Sequence, residues 1–194
     1  MVKLILASKS KVRKEILDKY EILVQVQPST VDEDPIKQSL LKEKISPEII
    51  SKNLAEIKAC KVSQKNFDAL VLGADSVIDL EGELISKPKN RDQAFDILKK
   101  LNGKKHSLVS SVCICKNGSM IWNCTEKAIL TMKNFDDKDL KSYLSKISDE
   151  SLYSYNVYQI EGKGRKLFSD IKGDENTIMG LTIDKIKDYL KNYE

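Results

Sequence analysis

The first cluster of residues that could do chemistry follows an apolar run at residues 2–7. Ser8 and Ser10 supply hydroxyl groups there, and Arg13 supplies positive charge together with the lysines around it. Because Ser10 is placed to cap a helix over residues 11–19, the cluster also offers the unpaired N–H groups of a helix start, which bind anions such as polyphosphate. Taken alone, these residues are better explained as a capped amphipathic helix with a lysine-rich outer face.

Carboxylates form two further clusters. Glu33 lies between two aspartates in a polar segment, and Asp75 follows a buried-type strand among small residues. Carboxylate oxygens are the ligands that magnesium prefers, and an aspartate at a strand end can hold a metal or activate water. Taken alone, a solvated turn is the better explanation of Glu33, and an Asx turn explains Asp75 as well as a site does. Lys87 follows within a dozen residues and could face the same charge.

The last cluster covers residues 158–162. Strand alternation would place Gln159 and Glu161 on one face, where their side chains could hydrogen-bond to the edge of a nucleotide base. A half-exposed strand is the simpler alternative. His106 is the only histidine and has no cysteine or histidine close to it in the sequence, so we interpret it as a surface or core residue and not as a metal ligand.

Periodicity predicts the elements that position these clusters. Strands are predicted at residues 2–7, 21–27, 69–73, 76–80, 107–116, 120–132, 153–161 and 167–171. Helices are predicted at residues 11–19, from Pro47 onward, and at 92–101, 137–147 and 183–193, with an irregular segment at 28–47. The dipeptide Asn117-Gly118 predicts a hairpin. Strands that alternate with helices predict an α/β fold with a mixed, twisted sheet, in a single domain over residues 1–194.

Two of the predicted helices carry finer expectations. Ser46 is expected to cap the helix that begins at Pro47, whose buried stripe would consist of Ile50, Leu54 and Ile57. Thr182 is expected to cap the helix over residues 183–193 in the same way.

Composition excludes several classes of protein. Apolar residues make up 41% and charged residues 32% of the 194 residues, a balance typical of globular proteins. No apolar run approaches the ~20 residues of a membrane span, and the N-terminal run is too short for a signal peptide, so we expect a cytoplasmic protein. The net charge of +4 is spread along the chain, which disfavours nucleic-acid binding. The four cysteines lack zinc-site spacing and are expected to be reduced.

Ordered motifs along essentially the whole chain resemble the signatures of the Maf family of nucleotide pyrophosphatases, once discussed as inhibitors of septum formation. The matching segments are residues 4–10 with 13–15, 31–33, 54–59, 73–76, 87–88, 101–106, 158–162, 167–168, 173–174 and 177–181. The set as a whole is far more specific than any one motif.

The resemblance implies a two-lobed α/β fold of the kind shared with ITP pyrophosphatases, with a deep central cleft. It implies a house-cleaning hydrolase that cuts a standard or modified nucleoside triphosphate between its α- and β-phosphates. The residues that it assigns to catalysis are Asp75, Glu33, Lys58 and Lys87, and those that it assigns to substrate binding are Ser8, Ser10, Arg13, Gln159 and Glu161. Asp75 and Glu33 would also hold a divalent cation, Mg²⁺ or Mn²⁺.

Three departures from the family pattern stand out. Val12 replaces an expected arginine, for which Lys11 or Lys14 could substitute, although lysine lacks the planar fork of arginine. Glu175-Asn176 replaces residues that are often aromatic. Glu161 stands where members similar to the dTTP/UTP group carry glutamine and where members similar to 7-methyl-GTP pyrophosphatases carry glutamate.

The chemistry of Glu161 predicts a guanine-type base. An ionised carboxylate only accepts hydrogen bonds, and guanine offers two adjacent donors, N1–H and the 2-amino group. Uracil and thymine offer one N3–H between two carbonyl oxygens, which would face the negative charge. 7-Methyl-GTP is favoured further because its ring is positively charged.

Other functions stay open at this point. They are a dTTP/UTP pyrophosphatase, a pyrophosphatase for deaminated purine nucleotides such as ITP, and a non-catalytic nucleotide-binding regulator of cell division. The nucleotide is the expected partner, membrane and nucleic-acid partners are not expected, and a homodimer is left open.

Overall fold

The computed structural model describes residues 3–193, apart from the side chains of 153–155, and its centre is one mixed sheet of seven strands. The strands are β1 (Lys3–Leu6), β2 (Gln25–Val26), β3 (Ala69–Leu80), β4 (Glu83–Ile85), β5 (Lys105–Lys116), β6 (Ser119–Met132) and β7 (Phe168–Lys172). Their order is β2-β1-β3-β5-β6-β7, and β4 pairs with β3. β1 is parallel to β2 and β3, and the other pairs are antiparallel.

Helices cover the sheet along its length. They are α1 (Lys11–Lys19), α2 (Glu33–Lys42), α3 (Pro47–Ser63), α4 (Arg91–Leu101), α5 (Asp137–Leu144), α6 (Asp149–Tyr155), α7 (Glu175–Ile178) and α8 (Ile183–Leu190). Within residues 3–193, none is long and apolar enough to cross a membrane.

The long strands β3, β5 and β6 join two packing regions. At one end, α1 and α8 pack on one face of the sheet, against strand residues such as Leu6 and Leu72, and α3 packs on the other face through Ala55 and Ala59. At the other end, α4, α5 and α6 pack on the continuation of the same strands around Leu130. A cleft lies between the two regions, so the α/β class, the mixed sheet and the two-lobed arrangement are confirmed.

Local signals placed several elements correctly. Ser10 caps α1, its hydroxyl accepting a hydrogen bond from the N–H of Arg13, and α1 has the predicted bounds. The hairpin between β5 and β6 turns at Asn117 and Gly118, whose φ angles of 52° and 77° fit the two-residue turn that the dipeptide favours. All four cysteines are free thiols, as expected.

The prediction of an irregular segment over residues 28–47 was wrong, because α2 occupies Glu33–Lys42. Asp32 caps it by accepting a hydrogen bond from the N–H of Asp34. The helix buries no residue fully, and its apolar face is short, with Ile36 and Leu40 half-buried, so it gives only a weak periodic signal. Its acidic first turn, which sequence reasoning took for a solvated turn, is the favourable charge for a helix start.

The strand predicted over residues 153–161 was also wrong. Its first part is the end of α6, capped by Ser148, and the rest is a turn that continues into a 3₁₀ helix at Lys163–Leu167. Gln159 and Glu161 therefore do not owe their positions to strand alternation.

Smaller corrections concern ends and faces. Ile57 is 36% exposed and does not share the buried stripe of α3 with Ile50 and Leu54. Thr182 makes no capping hydrogen bond. The strand predicted over residues 21–27 is reduced to β2, and of the strand predicted over 2–7, Val2 lies outside the described residues. β3 is continuous, without the break predicted between residues 73 and 76.

Candidate active site

Lys58 lies at the centre of the candidate site and joins two carboxylates. Its Nζ atom is 2.7 Å from Oε1 of Glu33 and 2.7 Å from Oδ1 of Asp75. Lys58 and Asp75 are buried, and Glu33 is about one-third exposed. Three elements, α2, α3 and β3, therefore each contribute one charged side chain to a single cluster in the cleft.

The close packing of α3 on β3 brings Lys58 to Asp75. A Cβ atom at Gly73 would lie only 2.2 Å from the carbonyl oxygen of Ala55 and 2.8 Å from Cβ of Ala59. Gly73 and Asp75 share one face of β3, since side chains alternate along a strand. The small residues on both elements thus let the helix approach the strand, and Lys58, one turn along from Ala55, reaches the carboxylate.

Lys37 is a fourth member of the cluster, and sequence reasoning missed it. Its Nζ atom is 3.0 Å from Oε2 of Glu33, one helical turn away on α2. Burial opposes ionisation of Glu33, but the charges and hydrogen bonds of Lys58 and Lys37 outweigh it and lower the pKa of Glu33 to about 2. Burial also acts to lower the pKa of Lys37, but Glu33 outweighs it and raises that pKa. The i,i+4 spacing was a usable signal only once α2 had been predicted.

One carboxylate oxygen of Asp75 has no hydrogen-bond partner among the described residues. This atom, Oδ2, is buried, while the carbonyl oxygen of Asp75 accepts a hydrogen bond from Ser51 at 3.1 Å. A buried carboxylate oxygen is expensive to leave unpaired, which indicates that water, substrate or a cation completes it. Within residues 3–193, no group of three or more carboxylate, histidine or cysteine side chains is arranged to hold a metal ion.

Arg13 holds together segments that are far apart in the sequence. Its guanidinium group donates to Oγ of Ser8 at 3.1 Å, to the carbonyl of Ala74 at 3.1 Å, to Oγ of Ser76 at 3.0 Å and to the carbonyl of Gly180 at 2.9 Å. Burial lowers the pKa of Arg13, and the charges of Asp75 and Glu33 partly oppose that shift. Since these four acceptors occupy most of its donors, Arg13 shapes the cleft wall besides adding charge to it.

The cleft that contains these residues has a volume of about 580 Å³. Ser8, Ser10 and Lys87 line it together with the Lys58 cluster. Desolvation in the cleft, followed by the charge of Arg13, lowers the pKa of Lys87. Lys9 also borders the cleft, but its side chain is exposed. The structure thus brings the predicted catalytic and phosphate-binding residues around one cavity large enough for a nucleotide.

A turn at residues 156–161 supplies another wall of the same cleft. Gln159 is half-buried and Glu161 is exposed, and both line the cavity. Among the described residues, Glu161 forms no ion pair with the nearby Lys163 or Arg165. Tyr158 is buried behind the turn, where its hydroxyl contacts Nε2 of His106 at 3.0 Å. His106 is therefore a core residue, one of the two alternatives considered above.

Comparison with known proteins adds an independent observation to this geometry. A profile described as Maf-like protein matches residues 3–193. This chain belongs to the Maf-like family.

Relatives of this Maf-like chain have informative names. A nucleoside triphosphate pyrophosphatase of Pelagibacter ubique is 66% identical over 192 residues, which cover 98% of each chain. A 7-methyl-GTP pyrophosphatase of Brucella abortus is 36% identical over 182 residues, covering 94% of this chain and 92% of that protein. Among solved structures, a HAM1 protein from Coxiella burnetii overlaps 68% of this chain and 73% of that chain, at 15% identity and a TM-score of 0.48.

The departures of this Maf-like chain from the expected motifs have visible structural counterparts. Val12 is buried against the core beneath α1 and also borders the cleft, so it adds apolar surface where the family pattern has a cation. Lys14 pairs with Asp18 on the outer side of α1. Lys11 lines the cleft and lies 3.4 Å from Glu150 of α6, so it is the cation positioned near the missing arginine's place. Asn176 donates a hydrogen bond to the hydroxyl of Tyr20 at 3.2 Å.

Proposed function

We infer that this chain is a nucleoside triphosphate pyrophosphatase, which releases diphosphate and leaves the nucleoside monophosphate. The observation that carries the inference is Lys58 held between Glu33 and Asp75 inside a cleft of about 580 Å³, in a chain that belongs to the Maf-like family. The name shared by its 66% identical relative supports the same activity.

The reaction needs one water molecule and a stabilised leaving group. Water forms a new P–O bond while the bridging bond between the α- and β-phosphates breaks, and diphosphate departs with that bridging oxygen. The unpaired Oδ2 atom of Asp75 suits a group that accepts the proton of this water. Lys58 and Lys87 suit the stabilisation of the negative charge that develops on the phosphate oxygens.

Glu33 and Asp75 are the residues that we propose to hold a divalent cation. The fit rests on chemistry visible in the site: two carboxylates face one another across Lys58, and Asp75 has a buried oxygen without a partner among the described residues. Oxygen ligands of this type suit Mg²⁺ or Mn²⁺, with water and phosphate oxygens as the remaining ligands. When bound, the cation would neutralise phosphate charge and polarise the bond that breaks.

We propose that Ser8, Ser10 and Arg13 form the phosphate site. Ser8, Ser10 and the first residues of α1 line the cleft, where a helix start favours an anion, and the guanidinium of Arg13 holds Ser8 through a hydrogen bond. In this arrangement Arg13 acts mainly by shaping the phosphate site, because most of its donors already have protein acceptors.

A guanine-type base, 7-methylguanine above all, is the substrate feature that we propose. Glu161 lines the cleft without an ion-pair partner among the described residues, so its carboxylate can accept both donors of the guanine edge. The name of the Brucella relative as a 7-methyl-GTP pyrophosphatase favours the same substrate. A dTTP/UTP pyrophosphatase is the alternative, and Gln159, whose amide both donates and accepts, is the cleft residue that would suit it.

The deciding experiment is a panel of nucleoside triphosphates assayed for diphosphate release with and without Mg²⁺. The panel contains GTP, 7-methyl-GTP, ITP, UTP and dTTP, and nucleoside monophosphate is measured as the second product. We expect hydrolysis that depends on Mg²⁺, with 7-methyl-GTP preferred by one or two orders of magnitude, because unpaired polar groups cost ~1–3 kcal/mol. Nucleotide binding without turnover would instead support the non-catalytic regulator, and preferred hydrolysis of UTP and dTTP would overturn the guanine assignment alone.

A further inference from the structure

The turn at residues 156–161 has no sheet or helix of its own to hold it. None of its residues belongs to a strand or a helix, although the turn forms a wall of the cleft. A segment without ladder hydrogen bonds depends on side-chain contacts for a fixed position. The positions of Gln159 and Glu161 therefore depend on the side-chain contacts that hold this turn against the rest of the protein.

His106 is the residue of the sheet that holds this turn through a hydrogen bond. It is 2% exposed and lies at the start of β5, where it pairs with Leu130 of β6. Its Nε2 atom is 3.0 Å from the hydroxyl of Tyr158, and its ring lies 5.8 Å from the ring of Phe168, the first residue of β7. The ring of Tyr158 packs edge-on against Phe168 at 4.8 Å. The turn is thus tied to the sheet through one hydrogen bond inside a cluster of three rings.

The position of Tyr158 also fixes the neighbouring residues of the turn, which line the cleft. Gly164 approaches the backbone of Gln159 so closely that a Cβ atom there would lie 2.5 Å from the carbonyl oxygen of Gln159 and 2.9 Å from Cβ of Tyr158. The hydroxyl of Tyr143 also donates to the carbonyl of Val157 at 3.0 Å. A shift of Tyr158 would therefore move Gln159 and the residues that follow it.

His106 is neutral at neutral pH, and its hydrogen bond to Tyr158 therefore keeps one arrangement of donor and acceptor. Burial lowers its pKa to about 4, so the ring is neutral at neutral pH. Its Nδ1 atom is buried without a partner among the described residues. An unpaired acceptor is tolerated better than an unpaired N–H donor, which favours the tautomer in which Nε2 carries the proton and donates it to the oxygen of Tyr158.

We propose that His106 is a positioning residue for base selection: through Tyr158 it fixes the turn at residues 156–161 against the sheet, and so sets where Gln159 and Glu161 meet the base. The proposal rests on the proposed function, but it assigns a role to a residue that touches neither phosphate nor base. The proposal separates base selection from hydrolysis, because His106 has no contact with the Lys58 cluster in the described structure.

The test compares nucleotides with a substrate that has no base. The variants are Tyr158→Phe, His106→Leu and His106→Gln, whose amide nitrogen can replace Nε2, and the matched control is Tyr189→Phe, which removes a hydroxyl from α8. Each is assayed on GTP, UTP and ribose 5′-triphosphate. Tyr158→Phe and His106→Leu are expected to reduce the GTP/UTP ratio of kcat/KM by about five- to ten-fold, the value of one hydrogen bond. Ribose 5′-triphosphate should stay within about two-fold of the parent chain, and His106→Gln should keep most of the discrimination.

The outcome that overturns the proposal is an unchanged GTP/UTP ratio in folded Tyr158→Phe, or an equal loss on ribose 5′-triphosphate, which would mean a general structural role. A parent chain that does not discriminate between bases overturns it as well. If the parent chain hydrolyses no nucleotide, the proposed function fails separately. The affinity ratio for non-hydrolysable α,β-methylene analogues of GTP and UTP, measured by calorimetry on the same variants, then decides whether His106 positions the base.

Discussion

The two ends of the cleft are built in different ways. The charged cluster at Lys58 lies on regular elements, α2, α3 and β3. The turn at residues 156–161 is not part of a strand or helix and is held by side chains, among them Tyr158 on His106 and the buried Val157 and Ile160. Rigid elements give the precision that bond-breaking chemistry needs, whereas a turn held by side chains can vary without disturbing them.

The same contrast extends to charge. Glu33, Lys58 and Asp75 are charged and pair with one another. Removing one of them leaves a buried charge without a partner, which costs its full desolvation free energy. His106 and Tyr158 are neutral and share one hydrogen bond. Changes in the charged cluster should therefore abolish turnover, and changes behind the turn should alter selectivity.

The largest effect is expected for Asp75→Asn. The amide keeps the volume of the side chain but loses the charge that faces Lys58 and the oxygen proposed to accept a proton, so kcat should fall by about 10³-fold or more. Asp68→Asn, in the exposed turn before β3, is the matched control and should keep full activity. Circular dichroism should show both variants folded. Near-normal turnover by folded Asp75→Asn would place the chemistry elsewhere.

Gly73→Ala tests whether the close contact of α3 with β3 positions Lys58. The added Cβ atom would overlap the carbonyl of Ala55 and displace the helix, so we expect a loss of about 1–3 kcal/mol in unfolding free energy together with a reduced kcat. Gly162→Ala is the comparison, because a Cβ atom there meets Gln159 only at 3.9 Å. Equal stabilities of the two variants in urea titrations would mean that the contact does not position the helix.

Glu161→Gln is expected to change selectivity at the other end of the cleft. Glutamine both donates and accepts, so the preference for 7-methyl-GTP over UTP should narrow by about ten-fold or reverse, while total turnover on the better substrate stays comparable. Glu175→Gln, on α7, serves as the matched control. Steady-state kcat/KM values for the two nucleotides give the ratio, and an unaltered ratio would remove Glu161 from base selection.

The smallest effects are those of pH on stability, and they separate the two regions. The folded pKa of His106 is about 4, below its ordinary 6.5, so the unfolded chain takes up the proton first as pH falls. Stability contributed by neutral His106 is complete above pH 6.5 and is lost between pH 6.5 and 4. His106→Gln should remove that part of the pH dependence.

Glu33 acts in a lower pH range. Its folded pKa of about 2 lies below its ordinary 4.5, so its contribution is present above pH 4.5 and is lost as pH falls towards 2. Chemical denaturation of the parent chain and of Glu33→Gln at a series of pH values checks this. The variant should lack the loss of stability between pH 4.5 and 2 but keep the loss between pH 6.5 and 4. A single step common to all variants would show that neither group controls acid stability.

The sequence was informative where a local signal and the fold agree. Ser10 predicted the start of α1, and Asn117-Gly118 predicted the hairpin, because caps and tight turns are decided by a few adjacent residues. Asp75 was predicted beside a buried strand, although the strand continues through it. Pairing with β5 along Asp75 and its neighbours supports residues that are poor strand formers by themselves.

The misses share one physical cause. α2 has few apolar residues, and α6, the segment before the turn, spans only seven residues, so the periodic signal of both elements is weak. Losing α2 also hid Lys37, whose relation to Glu33 is visible only on a helix. The prediction that Lys58 belongs to the site came from the family resemblance, since nothing in the residues around it distinguishes it from other helix lysines.

The hydrogen bonds of Arg13 have a consequence for the order in which the cleft can assemble. One acceptor is the carbonyl of Gly180, 167 residues further along the chain, while the others come from Ser8, Ala74 and Ser76. During synthesis on a ribosome, α1 emerges early, but its arginine has to wait until residue 180 has left the exit tunnel. Until then the guanidinium of Arg13 lacks one of its four protein acceptors, the carbonyl of Gly180. We therefore expect this part of the cleft wall to form late, because its contacts join residues that are far apart in the sequence.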